Sequence, residues 1–176
     1  MKDSKAKIIN TERLCLRAIT DEDADDVIEL LISDEISKTY MLPDFASRED
    51  AYKMFELLKR LSGLRERFVY GIYLENNIIG FINDVKISDG AIELGLVIHP
   101  DQHNKGFATE VLTASIQELF RLEYSVVKTG AFEENAASIR VMEKCSMTRL
   151  KQEEYIEYRG TVHRCICFEK RNVSAV

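Results

Sequence analysis

The sequence predicts an α/β (α+β) fold, in which a mixed, mostly antiparallel sheet of six to seven strands carries helices on both faces. Segments of alternating apolar residues and segments of helical apolar spacing follow one another in the order β-α-α-β-β-β-α-β-α-β-β. Turn residues at Asn76-Asn77 and Arg159-Gly160 separate neighbouring strands, as in antiparallel hairpins. One strand-helix-strand unit, residues 91–132, is long enough for a right-handed parallel crossover.

The N-terminal part contains one strand followed by two helices. Residues 14–19 alternate apolar and polar side chains, which predicts the first strand. Thr20 is a suitable N-cap, because acidic residues follow it and apolar residues then recur at helical spacing. A second helix is expected to begin near Ser47 and to end at Gly63.

The rest of the chain is richer in strands. Its predicted elements are strands at 68–74, 78–85 and 91–99, a helix at 106–122, a strand at 125–132, a helix at 135–144, and strands at 147–158 and 161–169. No repeat or linker interrupts this order. We therefore expect residues 1–176 to form a single domain with a core of about residues 8–170.

Charge and composition argue against several classes of protein. The chain has 30 acidic and 24 basic residues, a net charge of −6, which disfavours a nonspecific nucleic-acid binder. Its apolar runs are shorter than the roughly 18 residues of a membrane span, and the start resembles no secretory signal. We therefore expect a cytoplasmic protein without membrane contact. The four cysteines and three histidines lack zinc-ligand spacing, so no metal site is expected.

The strongest chemical signal lies between Pro100 and the helix that follows it. The start of a helix presents unpaired backbone N–H groups and a partial positive charge. Gly106 has no Cβ and Ala108 is small, so a ligand can approach the backbone closely. These features suit phosphate oxygens, although an ordinary loop-to-helix turn has the same pattern. The segment is neither a P-loop nor a Rossmann fingerprint.

Several motifs together resemble a known family. HNKGFATE, with GLVIHP before it and FEENAASIRVMEKCSM after it, resembles the GNAT superfamily of acyl-CoA N-acetyltransferases. TERLCLRAITDEDA near the start is similar to the opening of the ribosomal-protein N-terminal acetyltransferase (RimJ/RimL-like) branch. The resemblance implies an enzyme in which two neighbouring parallel strands part and admit the pantetheine arm of acetyl-CoA.

The resemblance also implies which residues contact acetyl-CoA. The family's phosphate motif, Q/R-x-x-G-x-G/A, falls on His103, Gly106 and Ala108, with His103 in place of the usual Gln or Arg. Asn135 and Ser138 match the N-x-x-S of the helix that lies along the cofactor. The full implied set is Leu96, Val97 and Ile98 through their backbone, and His103, Asn104, Lys105, Gly106, Phe107, Ala108, Thr109, Asn135 and Ser138.

Glu93 is the candidate catalytic residue. Strand alternation places it on the same face as Gly95 and Val97. The resemblance implies that a carboxylate here can serve as general base, whereas the residues alone favour a solvated strand carboxylate. Met142 stands where many relatives carry a tyrosine general acid, so the resemblance assigns no acid. A CoA thiol with a pKa near 8.5 can leave without strong acid assistance.

The expected reaction is direct transfer of an acetyl group to a primary amine, either a protein N-terminus or a small-molecule amine. The acceptor site is expected to involve the two N-terminal helices, the loop at 40–45 and the last hairpin. The departures at His103 and Met142 leave an alternative open: a non-catalytic CoA-binding module of the same fold. We expect no nucleic-acid partner, and either a monomer or a homodimer.

Overall fold

In a computed structural model, which describes residues 8–173, a single sheet contains eight strands. The strands are β1 (Ile9–Asn10), β2 (Leu14–Arg17), β3 (Tyr70–Leu74), β4 (Asn77–Ser88), β5 (Ala91–Ile98), β6 (Val126–Phe132), β7 (Thr148–Tyr158) and β8 (Thr161–Arg171). Their spatial order is β1-β2-β3-β4-β5-β6-β8-β7. Neighbouring strands are antiparallel except for the parallel pair β5 and β6, which confirms the predicted fold class. The one strand that the sequence did not predict is β1, whose two residues are too few for a recognisable alternation.

The helices are α1 (Ala24–Leu31), α2 (Asp34–Ser37), α3 (Arg48–Ser62), α4 (Phe107–Arg121) and α5 (Ala136–Lys144). Ser47 caps α3 as predicted, because its hydroxyl oxygen accepts a hydrogen bond from the Asp50 N–H at 3.2 Å. The first predicted helix is divided: a 3-10 turn at Asp21–Asp23 precedes α1, and α2 is an additional short helix. Across the part of the chain described, no helix is long and apolar enough to cross a membrane.

Helices cover both faces of the sheet, as predicted. Ile92 and Leu94 of β5 belong to a core that includes residues of α4 and α5. Val97, on the opposite face of the same strand, packs in a second core with residues of α1, α2 and α3. Successive side chains of β5 therefore pack alternately into the two cores, which lie on opposite faces of the sheet.

An ion pair with a buried carboxylate fixes β4 where its pairing with β5 is irregular. The Asp84 side chain is 1% exposed and accepts hydrogen bonds from Arg67 Nε at 2.9 Å and from the Phe68 N–H at 2.6 Å. The ladder between β4 and β5 shifts register between Asp84 and Lys86. The carboxylate therefore holds residues 67 and 68 against this irregular part of the strand.

We expect Arg67→Ala to lower the free energy of unfolding by about 3 kcal/mol, because it leaves the buried Asp84 carboxylate without its cation. Urea denaturation measures the effect. The matched control is Arg48→Ala, since the Arg48–Asp25 pair is exposed, and there the change should stay within about 1 kcal/mol. Equal effects in the two variants would contradict a special role for the buried pair.

Candidate active site

A gap in the sheet is the central feature of the site. β5 and β6 pair in parallel from Ala91–Val126 to Glu93–Lys128 and then part. Beyond that point β5 continues along β4 as far as Ile98, while β6 continues along β8. The two strands therefore diverge towards their carboxyl ends. This confirms the parted parallel strands that the family resemblance implies.

The first turn of α4 lies just beyond the end of β5. Gly106 caps this helix with φ +82°, and Asn104 has φ +60°. Both values are left-handed, a region that glycine adopts freely and asparagine tolerates. A Cβ on Gly106 would lie 3.3 Å from Nη2 of Arg13, which is closer than most real contacts. Unpaired helix N–H groups beside a Cβ-free position and a guanidinium fit an anionic diphosphate.

The backbone of β5 determines which groups face the gap. The Leu94 carbonyl accepts a hydrogen bond from Thr129 Oγ1 at 3.1 Å, and the Ile98 carbonyl lies 2.7 Å from His103 Nε2. The Val97 carbonyl instead faces β4, where a Cβ on Gly80 would clash with it. Adjacent residues of a strand direct their peptide groups to opposite edges.

This alternation corrects one expectation from the sequence. Leu96 and Ile98 direct their backbone groups towards the gap, whereas the backbone of Val97 is directed towards β4. Part of the Ile98 backbone is also engaged by His103. In the described part of the chain, the backbone groups that face the gap without a partner of their own are therefore those of Leu96 and the N–H of Ile98.

Asn135 and Ser138 lie together at the start of α5. The Asn135 Oδ1 accepts a hydrogen bond from the Ser138 N–H at 3.1 Å, so Asn135 is the N-cap of α5. Its Nδ2 donates to Ser138 Oγ at 3.0 Å. The Ser138 hydroxyl can therefore still donate its own proton to a ligand.

Glu93 lies at the point where the strands part, beside a trough on the sheet. The trough is a cavity of about 170 Å³, open on one side, that extends from β4 across the sheet to β7. A second carboxylate, Glu154, lines it as well. The lining residues are Lys86, Ser88, Ala91, Ile92, Glu93, Lys128, Thr129, Leu150, Gln152, Glu154, Cys167 and Phe168.

Both carboxylates of the trough are available for chemistry. Glu93 lies on the face of Val97, as predicted, since Ile92 and Leu94 occupy the opposite core. Among residues 8–173, no ion pair engages either Glu93 or Glu154. The sequence did not predict a role for Glu154, because it is one of several exposed glutamates in β7. It reaches the trough only because β7 pairs with β8.

Comparison with known proteins identifies the family. The family model for the acetyltransferase (GNAT) domain matches residues 13–148. The chain belongs to the GNAT acetyltransferase family. YoaA of Bacillus subtilis (strain 168), named as an N-acetyltransferase, is 30% identical over 142 residues, which cover 78% of this chain and 80% of YoaA. This GNAT chain is therefore an N-acetyltransferase enzyme.

Solved structures agree on the GNAT fold. A GNAT-family acetyltransferase from Bacillus anthracis superposes with a TM-score of 0.80 at 24% identity, covering 93% of this chain and 98% of that protein. RimL, a ribosomal alpha-N-protein acetyltransferase solved in complex with coenzyme A, superposes with a TM-score of 0.81 at 18% identity. That match covers 96% of this chain and 99% of RimL. Both matches support the fold class predicted from sequence.

The cysteines beside the trough are poor nucleophiles in this GNAT enzyme. Cys165 and Cys167 lie on one face of β8, since a Cβ on Gly130 would lie near both sulfurs. Burial raises the pKa of Cys165 to about 12. Burial, with the neighbouring Glu154, also raises the pKa of Cys167. Protonated thiols attack a thioester slowly, which favours direct transfer over a cysteine-bound acetyl group.

Tyr40 places a hydroxyl group near the gap that sequence reasoning missed. It donates a hydrogen bond to Asn83 Oδ1 at 2.8 Å, and a Cβ on Gly95 would lie 2.7 Å from its oxygen. Burial raises the pKa of Tyr40 to about 12, so the hydroxyl keeps its proton at neutral pH.

Met142, which stands where many relatives carry a tyrosine, is 4% exposed and packs in the core.

The loop after α2 contacts the last hairpin. The Tyr158 hydroxyl donates to the Leu42 carbonyl at 3.0 Å and lies 3.2 Å from the Leu42 N–H. Arg159 forms an ion pair with Asp44 at 2.8 Å. The two regions expected to contact the acceptor therefore meet above the sheet, on the face that α1, α2 and α3 share.

Proposed function

We propose that this enzyme transfers an acetyl group from acetyl-CoA directly to a primary amine, as one domain spanning residues 1–176. The observation that carries the proposal is the gap between β5 and β6, which opens beside the first turn of α4. Such a gap suits an extended pantetheine arm, and the helix start suits a diphosphate. RimL, which shares the fold, was solved with coenzyme A, and this supports CoA as the carrier.

The residues assigned to acetyl-CoA follow the gap from the helix start inwards. Leu96 and Ile98 contribute their backbone beside the gap. The other residues of the proposed set are His103, Asn104, Lys105, Gly106, Phe107, Ala108, Thr109, Asn135 and Ser138. Acetyl-CoA, when bound, supplies a thioester carbonyl that an amine can attack. The protein's task is to present that amine without its extra proton.

Glu93 is the proposed base for that step. It stands at the junction of the parted strands and lines the trough, so an acceptor ammonium can reach its carboxylate. The extra proton of the ammonium passes to Glu93, and the amine nitrogen then forms the new bond to the thioester carbon. The carbon–sulfur bond breaks, and CoA leaves as a thiolate that takes up the second proton released by the nitrogen. Glu154 faces the same trough and is a second carboxylate that the acceptor ammonium can approach, while Lys86 and Lys128 balance the charge of the lining.

An α-amine suits this site better than a lysine side chain. With a pKa of about 8, an α-amine costs about 1.4 kcal/mol to deprotonate at pH 7, against about 4.6 kcal/mol for a lysine with a pKa near 10.4. A carboxylate base is modest, so the lower cost favours an N-terminal or small-molecule α-amine. A ribosomal-protein N-terminus, the acceptor named for RimL, belongs to this class.

The test is release of free thiol from acetyl-CoA in the presence of an amine panel. The panel should contain peptides with a free N-terminus, the same peptides blocked at the N-terminus but carrying lysine, and small amines. We expect turnover with free α-amines and little with blocked peptides. Calorimetry with CoA runs in parallel. Tight CoA binding without turnover on any amine would favour the non-catalytic CoA-binding module instead.

A further inference from the structure

The turn between β1 and β2 is tied to the first turn of α4, nearly a hundred residues away. Oε1 of Glu110 accepts hydrogen bonds from Thr11 Oγ1 at 2.5 Å and from the Arg13 N–H at 2.8 Å. Oε2 of Glu110 accepts from Arg13 Nε at 2.8 Å and lies 2.7 Å from Nη2. Neither the motif of α4 nor the resemblance assigns a role to these three residues.

The Arg13 guanidinium also contacts three consecutive residues of the proposed phosphate loop. Its Nη1 donates to the Lys105 carbonyl at 2.9 Å. Its Nη2 lies 3.3 Å from the position of a Cβ on Gly106, and its central carbon lies 4.5 Å from the centre of the Phe107 ring. Arg13 thus holds the peptide that leads into the helix.

The charges at this point are balanced. Burial opposes ionisation of Glu110, but hydrogen bonds from Thr11 and Arg13 outweigh it, so the pKa of Glu110 lies below its ordinary value. A carboxylate in the first turn would by itself repel a phosphate. Arg13 neutralises it, and the Arg13 side chain remains 43% exposed beside Gly106.

An arginine carries five N–H donors. Within residues 8–173, Glu110 and Lys105 account for the Nε–H and for one N–H on each terminal nitrogen of Arg13. One N–H on Nη1 and one on Nη2 therefore remain for another acceptor. The N–H groups of a guanidinium form charge-assisted hydrogen bonds to phosphate oxygens.

We propose that Arg13 is a binding residue for the diphosphate of CoA, and that it also positions the Lys105–Gly106 peptide through its bonds to Glu110 and Lys105. This inference rests on the proposed function, since it concerns the same cofactor site. It extends the site to the N-terminal β1–β2 turn. Arg13 recognises the diphosphate anion alone and contacts no other part of the coenzyme.

The experiment compares Arg13→Gln with Arg17→Gln. Arg17 lies four residues further on and stacks over the Tyr73 ring at 3.6 Å, which belongs to the other core. Calorimetry measures the Kd of CoA, and steady-state kinetics compare acetyl-CoA with S-acetylpantetheine, which lacks the diphosphate. We expect Arg13→Gln to weaken CoA binding about tenfold or more, with kcat/KM for S-acetylpantetheine unchanged. Arg17→Gln should leave both values near those of the wild type.

Arg13→Lys guards against a folding defect, because it keeps the charge beside Glu110 but loses the guanidinium and its two remaining N–H donors. It should retain the wild-type melting temperature and still bind CoA more weakly. An unchanged CoA Kd in Arg13→Gln overturns the assignment. Equal losses for both acyl donors also overturn it, because a purely structural residue would affect both. If the wild type binds no CoA, the proposed function itself fails, and Arg13 loses its role with it.

Discussion

Gly106→Glu is expected to abolish CoA binding while the protein remains folded. Gly106 has φ +82°, so any side chain adds strain of about 1–2 kcal/mol. Its Cβ would also press against Arg13 Nη2, which lies 3.3 Å away. A glutamate adds a negative charge where the helix start and Arg13 offer positive potential to a phosphate. Calorimetry should show CoA affinity reduced by about a hundredfold or more.

Gly160→Glu is the matched control for this variant. Gly160 also has a left-handed φ, of +76°, and open space surrounds the position of its Cβ. It lies in the turn between β7 and β8, so the same strain and charge are introduced far from α4. We expect its CoA affinity to match that of the wild type. CoA binding by Gly106→Glu within about threefold of the control would exclude the α4 start as the phosphate site.

Glu93→Gln is expected to lower kcat by about a hundredfold or more, with little change in CoA affinity. The amide keeps the shape of the side chain but cannot take a proton from the acceptor. The proposed CoA site is formed by α4 and the gap, and the structure of neither depends on the charge at residue 93. Single-turnover acetylation of a peptide α-amine measures the chemical step, and calorimetry measures the CoA Kd.

Glu154→Gln and Glu157→Gln accompany this test. Glu154 lines the trough with Glu93, whereas Glu157 is an exposed residue on the same strand, β7. We expect a smaller loss for Glu154→Gln, expressed mainly as a higher KM for the acceptor, and none for Glu157→Gln. A normal rate in Glu93→Gln with a large loss in Glu154→Gln would transfer the base role to Glu154.

The order of elements was predictable because each element leaves a local pattern. The caps at Ser47 and Asn135 and the glycine at 106 lie where the sequence predicts them. These signals depend on residues within a few positions of each other, and backbone geometry sets their spacing. The divided helix after Thr20 escaped prediction, because a 3-10 turn and a four-residue helix have little periodicity.

The long-range contacts of the site had no comparable signal. Arg13 and Glu110 lie 97 positions apart, and their bond forms only when the turn between β1 and β2 meets α4. Glu154 reaches the trough because β7 pairs with β8 through an irregular register between Arg149 and Glu153. Sequence alternation placed Val97 on the correct face, but its peptide groups point to β4.

The sequence alone determined most of the succession of strands and helices and the turn of small residues that begins α4. Both are short-range properties of the backbone and its neighbouring side chains. Only the tertiary structure decided where β5 and β6 separate, which peptide groups face the gap, and which distant charges meet beside it. Those features depend on strand register and on contacts between segments far apart in the chain, which local periodicity does not encode.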